Sequence, residues 1–537
     1  MAGVVRREVS LADPFPWTLE VALSGGGLRA SAYALGALLY LVHSGLNTKV
    51  KNISSVSGGS ITNAFAACNC DFGRRVELAD FQKIAGQLAR KIAFSGLLQK
   101  WESWAWGIAV AVLALALLVC LLVLAFVFVG SWLVVMGLLE HPNLVTVLVT
   151  NSPYVMAVAL VLLLVLPFLF NFRSWPIDKW METILPLDVT LGGLSNRQVD
   201  HVFCATDLTF GQPLFFSTAD SGRIYAMIYG RVDAPAVPVF KAVRASAAFP
   251  PAIPPYSLEL DIESVSGVDL KTREGRLRLW LTDGGAFNNF GTEWHDVRRE
   301  LAFVEAVFFE RFNRPYQPKE HRERYGQVQL VVNASGASDA VLVDFLRFPI
   351  IGFVKYVFRT MSVMYGSTLA GRSSWSESAA AQRMKGYPWK WLARYGASEE
   401  DELKRLFKDH SAPYDPQNDR DAEYLGALRL FVPRLRCFDE IRTFWGFVPL
   451  STSVEESSRR RAWLDKNWAA SKEMGSYWPE TGFKVPTTFR KLGKEVTLKL
   501  IIEGYLRTRE VLFWSLGFEG PALLQFSKFE SLLNESD

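Results

Sequence analysis

The stretch LEVALSGGGLRASAYALGALLYL, Leu19 to Leu41, sets the fold class. Leu19 to Leu23 read as a short strand, Gly25-Gly26-Gly27 as a turn, and apolar residues recur at helical spacing from Leu28 to Leu41. Successive glycines let backbone N–H groups converge on an anion at a helix N-terminus, where the partial positive charge of the helix adds to the attraction. That anion is a phosphate or an oxyanion. A phosphate loop needs Lys and then Ser or Thr after its glycines, and a dinucleotide turn needs Gly-x-Gly-x-x-Gly. Neither spacing is present; Arg29 instead stands two places after the last glycine. Such a turn can also serve close packing alone, and Arg29 either fixes the glycine loop or makes a surface ion pair.

A second unit of the same kind follows in VKNISSVSGGSITNAFAA, Val50 to Ala67. It reads as a strand, a tight turn at Ser57 and a helix starting near Gly59, an arrangement that lifts a serine hydroxyl above a strand end. The pattern of such nucleophile elbows is Gly-x-Ser-x-Gly, and Ser55 stands here where the first glycine is expected. Serine is small, so the crowding this adds is modest. A third unit, LRLWLTDGGAFNNFG from Leu277 to Gly291, alternates apolar residues into Asp283-Gly284-Gly285. A carboxylate at a strand end can act as a base, although Asp-Gly alone is foremost a turn signal.

Taken in chain order, these segments resemble the patatin-like phospholipases. HVFCATDLTFGQPLFF (His201 to Phe216) and AVRASAAFPPAIPPY (Ala242 to Tyr256) look like that family's intervening strand and its Ala-Ser-x-Ala-x-Pro segment. The resemblance covers most of the non-membrane chain to about residue 340. VQLVVNASG (from Val328), EIRTFWGF (from Glu440) and LIIEGYLRT (from Leu500) match more faintly. The resemblance implies an α/β fold, a three-layer α/β/α domain working through a Ser-Asp dyad. Ser57 would be the nucleophile and Asp283 the acid/base. Gly25, Gly26, Gly27 and Gly58 would form the oxyanion hole, with Arg29, Gly59, Gly284 and Gly285 in support. No cofactor and no metal is expected.

Between the second and third units the chain turns apolar. Ala105 to Leu139 are 35 residues without a charge, more than the ~20 that a helix needs to cross a bilayer. A second charge-free stretch, LVTVLVTNSPYVMAVALVLLLVLPFLFNF, runs from Leu144 to Phe172, so the pair reads as a transmembrane helical hairpin. Trp101, Trp104 and Trp106 before it and Trp175 and Trp180 after it suit the headgroup level. Lys83, Arg90, Lys91, Lys100, Arg173 and Lys179 flank it, whereas the connection Glu140 to Asn143 has no Lys or Arg. Positive flanks stay cytoplasmic, so both long parts and both termini are expected there, with the hairpin in a bacterial inner membrane. The first residues, MAGVVRREVSLADPFPW, lack the apolar region of a signal peptide.

The expected organisation is therefore residues 1–100 and 176–345 as two parts of one patatin-like domain. Residues 101–175 form the hairpin insertion, and 346–537 a mainly helical C-terminal extension packing on the catalytic domain. Arg459-Arg460-Arg461 reads as a surface basic run. With 58 basic and 54 acidic residues, net +4, the chain offers no electrostatic case for nucleic acid. Five scattered cysteines without a CxxC pair indicate neither a disulfide framework nor a zinc site. The rival chemistry is a Ser-His-Asp triad. His43 falls in the first helix, His141 in the membrane turn, and His201, His295, His321 and His410 carry no motif, His410 being the least implausible base. The expected substrate is membrane phospholipid and the expected partner the lipid bilayer, with homo-oligomerisation left open. A catalytically silent membrane scaffold is the alternative, and Ser55 is the motif feature that favours it.

Overall fold

The computed structural model describes residues 18–96, 101–135, 150, 153–154, 156–162, 174–226, 230–250, 253–261, 276–292, 294, 328–334, 444–449, 490–516, 518 and 520–534. The fold is mixed α/β around a central, mostly parallel sheet, consistent with a three-layer α/β/α arrangement. Five strands run parallel: β1 (Leu19–Leu23), β2 (Val50–Val56), β3 (Asp200–Asp207), β9 (Val328–Asn333) and β10 (Phe444–Pro449), in the order β10-β9-β1-β2-β3. An antiparallel meander of β4 (Gln212–Ser217), β5 (Arg223–Ala226) and β6 (Gly230–Asp233) extends it past β3. β7 (Tyr256–Asp261) pairs with β8 (Arg276–Asp283), which joins the sheet through β3. The C-terminal region, expected to be mainly helical, thus also supplies a strand. Its Phe444–Pro449 segment is too short, and too weakly alternating, to announce a pairing with a strand over a hundred residues earlier.

The register along β3 positions the site. β2 pairs with β3 as far as Val56 opposite Cys204. The next residue of β3, Ala205, pairs with Asp283, the last residue of antiparallel β8. β2 and β8 therefore approach head to head along β3. The residue that leaves β2, Ser57, emerges where β8 ends.

Behind the sheet, α1 (Gly27–His43) is buried from Gly27 to Val42, so it has no solvent face and reads as apolar all round. It lies against α7 (Lys494–Leu516), with α3 (Leu78–Phe94) packed beside both. The contact between α1 and α7 is backbone to backbone. A Cβ on Gly36 would lie 1.9 Å from the Ile501 carbonyl oxygen, and one on Gly504 2.0 Å from that of Tyr33. Tyr505 closes the same seam, edge-on to Tyr40 at 5.2 Å, with its hydroxyl 2.6 Å from His43 Nδ1. Gly504→Ala is expected to force these helices apart and destabilise the fold by about 1–3 kcal/mol. The check is a lowered denaturant midpoint at unchanged slope.

One helix among the described residues, α4 (Trp101–Val135), is long and apolar enough to cross a membrane. Its segment Ala111–Val129 has a mean hydropathy of 3.4 and, Val127 aside, its described side chains are not buried against the protein. Val112, Leu115, Leu122 and Phe128 on it are all exposed. The second half of the expected hairpin lies largely outside the described residues. The few that are described between 150 and 162 are helical, and Tyr154, Met156 and Leu160 are exposed. Of the two tryptophans expected after the hairpin, Trp175 is exposed but Trp180 is buried in the core. Both lie on α5 (Ser174–Glu182), which is fixed to α6 (Val239–Ser246) by an ion pair from Arg244 Nε to Asp178 Oδ1 at 2.6 Å. That docking turns Trp180 inward, away from any headgroup layer.

Candidate functional site

Ser57 sits between β2 and α2 (Gly58–Asn69) with φ 51° and ψ −117°, a conformation that non-glycine residues rarely adopt. Strain of this kind costs about 1–3 kcal/mol and persists only where the surroundings hold it. Here the surroundings are glycines. A Cβ on Gly58 would lie 1.9 Å from the Gly27 carbonyl oxygen, and one on Gly59 2.7 Å from that of Leu23. The elbow and the glycine turn therefore touch backbone to backbone, and the N-termini of α1 and α2 converge. Each contributes N–H groups with no intrahelical partner and a positive dipole end.

The glycines divide their tasks. The Gly25 N–H donates to the Asn289 carbonyl at 2.9 Å, so it is already engaged and is withdrawn from the expected set of oxyanion donors. Gly25 is needed for closeness instead: a Cβ there would lie 2.2 Å from Asn289 Oδ1 and 3.3 Å from Ser57 Cβ. Gly26 and Gly27 have φ of 139° and 63°, which only glycine adopts freely. Gly27 and Gly58 open α1 and α2, so these glycines stand where the two helix N-termini converge beside Ser57. Ser31 reinforces the junction by donating from Oγ to the Gly58 carbonyl at 2.6 Å. Arg29 is not a surface ion-pair residue. It is 7% exposed, a Cβ on Gly26 would lie 2.9 Å from its Nη2, and burial lowers its pKa to about 10. Its guanidinium lies against Gly26 of the glycine turn.

Asp283 closes β8 and is 1% exposed. Its Oδ1 accepts the Gly285 N–H at 2.7 Å, while Oδ2 is buried without a complete hydrogen bond. Burial pushes the carboxyl up to about 7; the Ser57 hydroxyl, interacting with the carboxylate, and the Gly285 N–H pull the other way. The Ser57 hydroxyl is thus close enough to act on the carboxyl, while Oδ2 has no hydrogen-bond partner. Gly284 lets the turn press on β3, since a Cβ there would lie 2.3 Å from the Cys204 carbonyl oxygen.

Three residues at the centre have contacts that the sequence does not announce. Asn289 anchors Gly25 through its main chain. Ser246, inside the Ala-Ser-x-Ala segment, accepts the Ser57 N–H on Oγ at 3.1 Å, and its carbonyl accepts the Gly284 N–H at 3.4 Å. Ser55 is fully buried and donates from Oγ to the Val202 carbonyl at 2.9 Å while accepting from Asn63 Nδ2 at 2.9 Å and from Ser60 Oγ at 3.1 Å. Its presence in place of glycine is therefore a polar anchor between β2, β3 and α2. A sign was available for Ser246, in its small-residue segment, but none for the partner it would find.

Of the histidines, His43 belongs to the α1–α7 seam. His201 pairs with Ile53 across β2 and β3, four residues before Ser57 in β2, or ~13 Å away at strand spacing. Burial drives His201 down to about 3, so it is neutral. Neither serves Ser57. His141, His295, His321 and His410 lie outside the described residues. No cluster of His, Cys, Asp and Glu able to hold a metal ion occurs among the described residues.

No family model and no curated protein sequence matches this chain. Among solved structures, VipD from Legionella pneumophila aligns over 94% of this chain and 92% of its own, at 12% identity and a TM-score of 0.24. A likeness at that score carries no inference.

Proposed function

We propose that this chain is a membrane-anchored serine acyl hydrolase of the patatin-like type that cleaves fatty-acyl esters of membrane phospholipids with a Ser57-Asp283 dyad. The observation that supports the reading is the head-to-head approach of β2 and β8 along β3, one ending at a strained serine and the other at a buried carboxyl whose pKa lies near neutrality. A base poised near the working pH is what proton transfer from a hydroxyl requires. In the first step Asp283 takes the Ser57 proton as Oγ bonds to the ester carbonyl carbon, and the carbonyl oxygen becomes an oxyanion facing the N–H groups of Gly26, Gly27 and Gly58. Each such donor is typically worth about 3 kcal/mol. As the C–O bond breaks, Asp283 returns the proton to the departing alcohol. Water, deprotonated by the same carboxylate, then hydrolyses the acyl-serine.

Lipid as substrate follows from the outward apolar surface of α4, which would hold the site at a bilayer without recruitment from solution. Ser55 no longer favours a silent scaffold, because its hydroxyl is fully used in holding the elbow. Purified protein in phosphatidylcholine–phosphatidylglycerol vesicles is expected to release free fatty acid. A fluorophosphonate probe is expected to label it at Ser57, mapped by peptide mass spectrometry. Folded protein that neither labels nor releases fatty acid would reject the proposal.

A further inference from the structure

Resting on the reading of Ser57 as nucleophile, we infer that Ser246 is a positioning residue for it, acting at the head of a one-way chain of buried hydrogen bonds. The chain follows from counting hydrogens. Each hydroxyl has a single proton to donate and two lone pairs to receive with. Ser55 gives its proton to the Val202 carbonyl and receives from both Asn63 and Ser60. Ser60, having given its proton to Ser55, must receive at its 2.8 Å contact with Ser246. Ser246 therefore donates to Ser60 and keeps its lone pairs for the Ser57 N–H. The sequence Ser57 N–H, Ser246, Ser60, Ser55, Val202 carbonyl thus has one orientation only.

The far end is equally fixed. Asn63 Nδ2 donates its two protons at its shortest contacts, the Ile53 carbonyl and Ser55 Oγ, both at 2.9 Å, and lies 3.3 Å from the Val202 carbonyl as a longer third approach. Its Oδ1 meets His201 Nδ1 at 2.7 Å, so the neutral imidazole carries its proton on Nδ1. Ser55, Ser60, Asn63, His201 and Ser246 are all fully buried, at 0% exposure. Hydrogen bonds in such a chain polarise one another, and a broken link leaves buried groups unmatched.

The strained φ of Ser57 is held by a bond to its own amide, which aims Oγ toward Asp283. That same bond keeps the Ser57 N–H away from the oxyanion, leaving the task to the neighbouring Gly58. Ser246 also holds Gly284 through its carbonyl, so a single residue ties the segments bearing nucleophile and base.

The test is kinetic. Ser246→Ala is expected to lower kcat about 10- to 100-fold on vesicles and to slow fluorophosphonate labelling equally, with KM unchanged, because substrate contacts are untouched. Ser246→Thr, which restores the hydroxyl, is expected to recover most of the loss. Ser60→Ala, which cuts the chain one link further away, should lower the same two rates by a smaller factor, and it stands as the deciding variant if Ser246→Ala fails to fold. Wild-type kcat in folded Ser246→Ala, or in Ser60→Ala in its place, overturns the proposal while an inactive Ser57→Ala control leaves the dyad standing. A loss in Ser246→Ala that appears in KM alone, or that Ser246→Thr does not rescue, overturns it too. An active Ser57→Ala removes the dyad and this proposal together.

Discussion

Asp283→Asn is expected to abolish most lipid hydrolysis while making the protein more stable above neutral pH. The loss follows from removing the only base beside Ser57 among the described residues, and a positioned general base typically contributes about 10²- to 10⁴-fold. The gain follows from linkage. The carboxyl has a pKa of about 7 when folded, against an ordinary aspartate value of 3.8, so the folded protein binds this proton more tightly than the unfolded chain. Its contribution to stability is complete below the unfolded value and is lost as pH rises through the folded one. At pH 8 the native protein carries a buried carboxylate held by the Gly285 N–H and favoured by the Ser57 hydroxyl. Every tenfold difference in proton affinity between the folded and unfolded chains then costs about 1.4 kcal/mol. Asparagine keeps an Oδ1 to accept the Gly285 N–H and carries no charge. Thermal midpoints of the two proteins should therefore meet near pH 4 and separate progressively toward pH 8, with the variant higher. The wild-type kcat/KM should rise with pH through an apparent pKa near 7. A constant gap in melting temperature across that range would show that Asp283 does not carry the buried charge described here.

How far the sequence announced this site depends on the range of the contacts. The strand, glycine turn and helix of Leu19 to Leu41 could be read because their signals lie within a few residues of one another, and the structure has β1 and α1 at those places. The turns at Ser57 and Asp283 could be read for the same reason. What stayed hidden depends on the register along β3. Nothing local says that β8 joins β3 where β2 stops, that Asn289 occupies the Gly25 N–H, or that Ser246 reaches the Ser57 amide 189 residues away. Ser55 shows the same limit in reverse. Judged against a glycine template it is a defect, whereas its neighbours in space make it an anchor that lends the elbow three hydrogen bonds. Trp180 belongs with it: proximity to an apolar stretch suggested an interfacial ring, and the docking of α5 on α6 decided otherwise.

That dependence on close approach makes Gly58 the most sensitive position outside the dyad. Gly58→Ala adds one methyl group, and the site offers it no room: the new Cβ would lie 1.9 Å from the Gly27 carbonyl oxygen, 2.7 Å from its carbon and 3.0 Å from its nitrogen. All three are backbone atoms, so no side chain can rotate aside, and the glycine turn and the elbow must separate by more than about 1 Å to reach ordinary contact distance. The displacement falls on the N–H groups of Gly27 and Gly58 together, two of the three donors proposed to meet the oxyanion from the converging ends of α1 and α2. A misplacement of that size typically costs about 10²-fold in rate, and overpacking a closed junction costs a further 1–3 kcal/mol or so of stability. The expected result is a folded protein, somewhat lowered in melting temperature, whose kcat falls about 10²-fold. Fluorophosphonate labelling should slow with it, since the phosphonyl oxygen draws on the same donors. Gly493→Ala is the control that separates lost stability from lost geometry. Gly493 has a positive φ of 80°, so alanine there strains the backbone, but the added Cβ meets nothing within 4 Å. It should lower the melting temperature without the loss of rate.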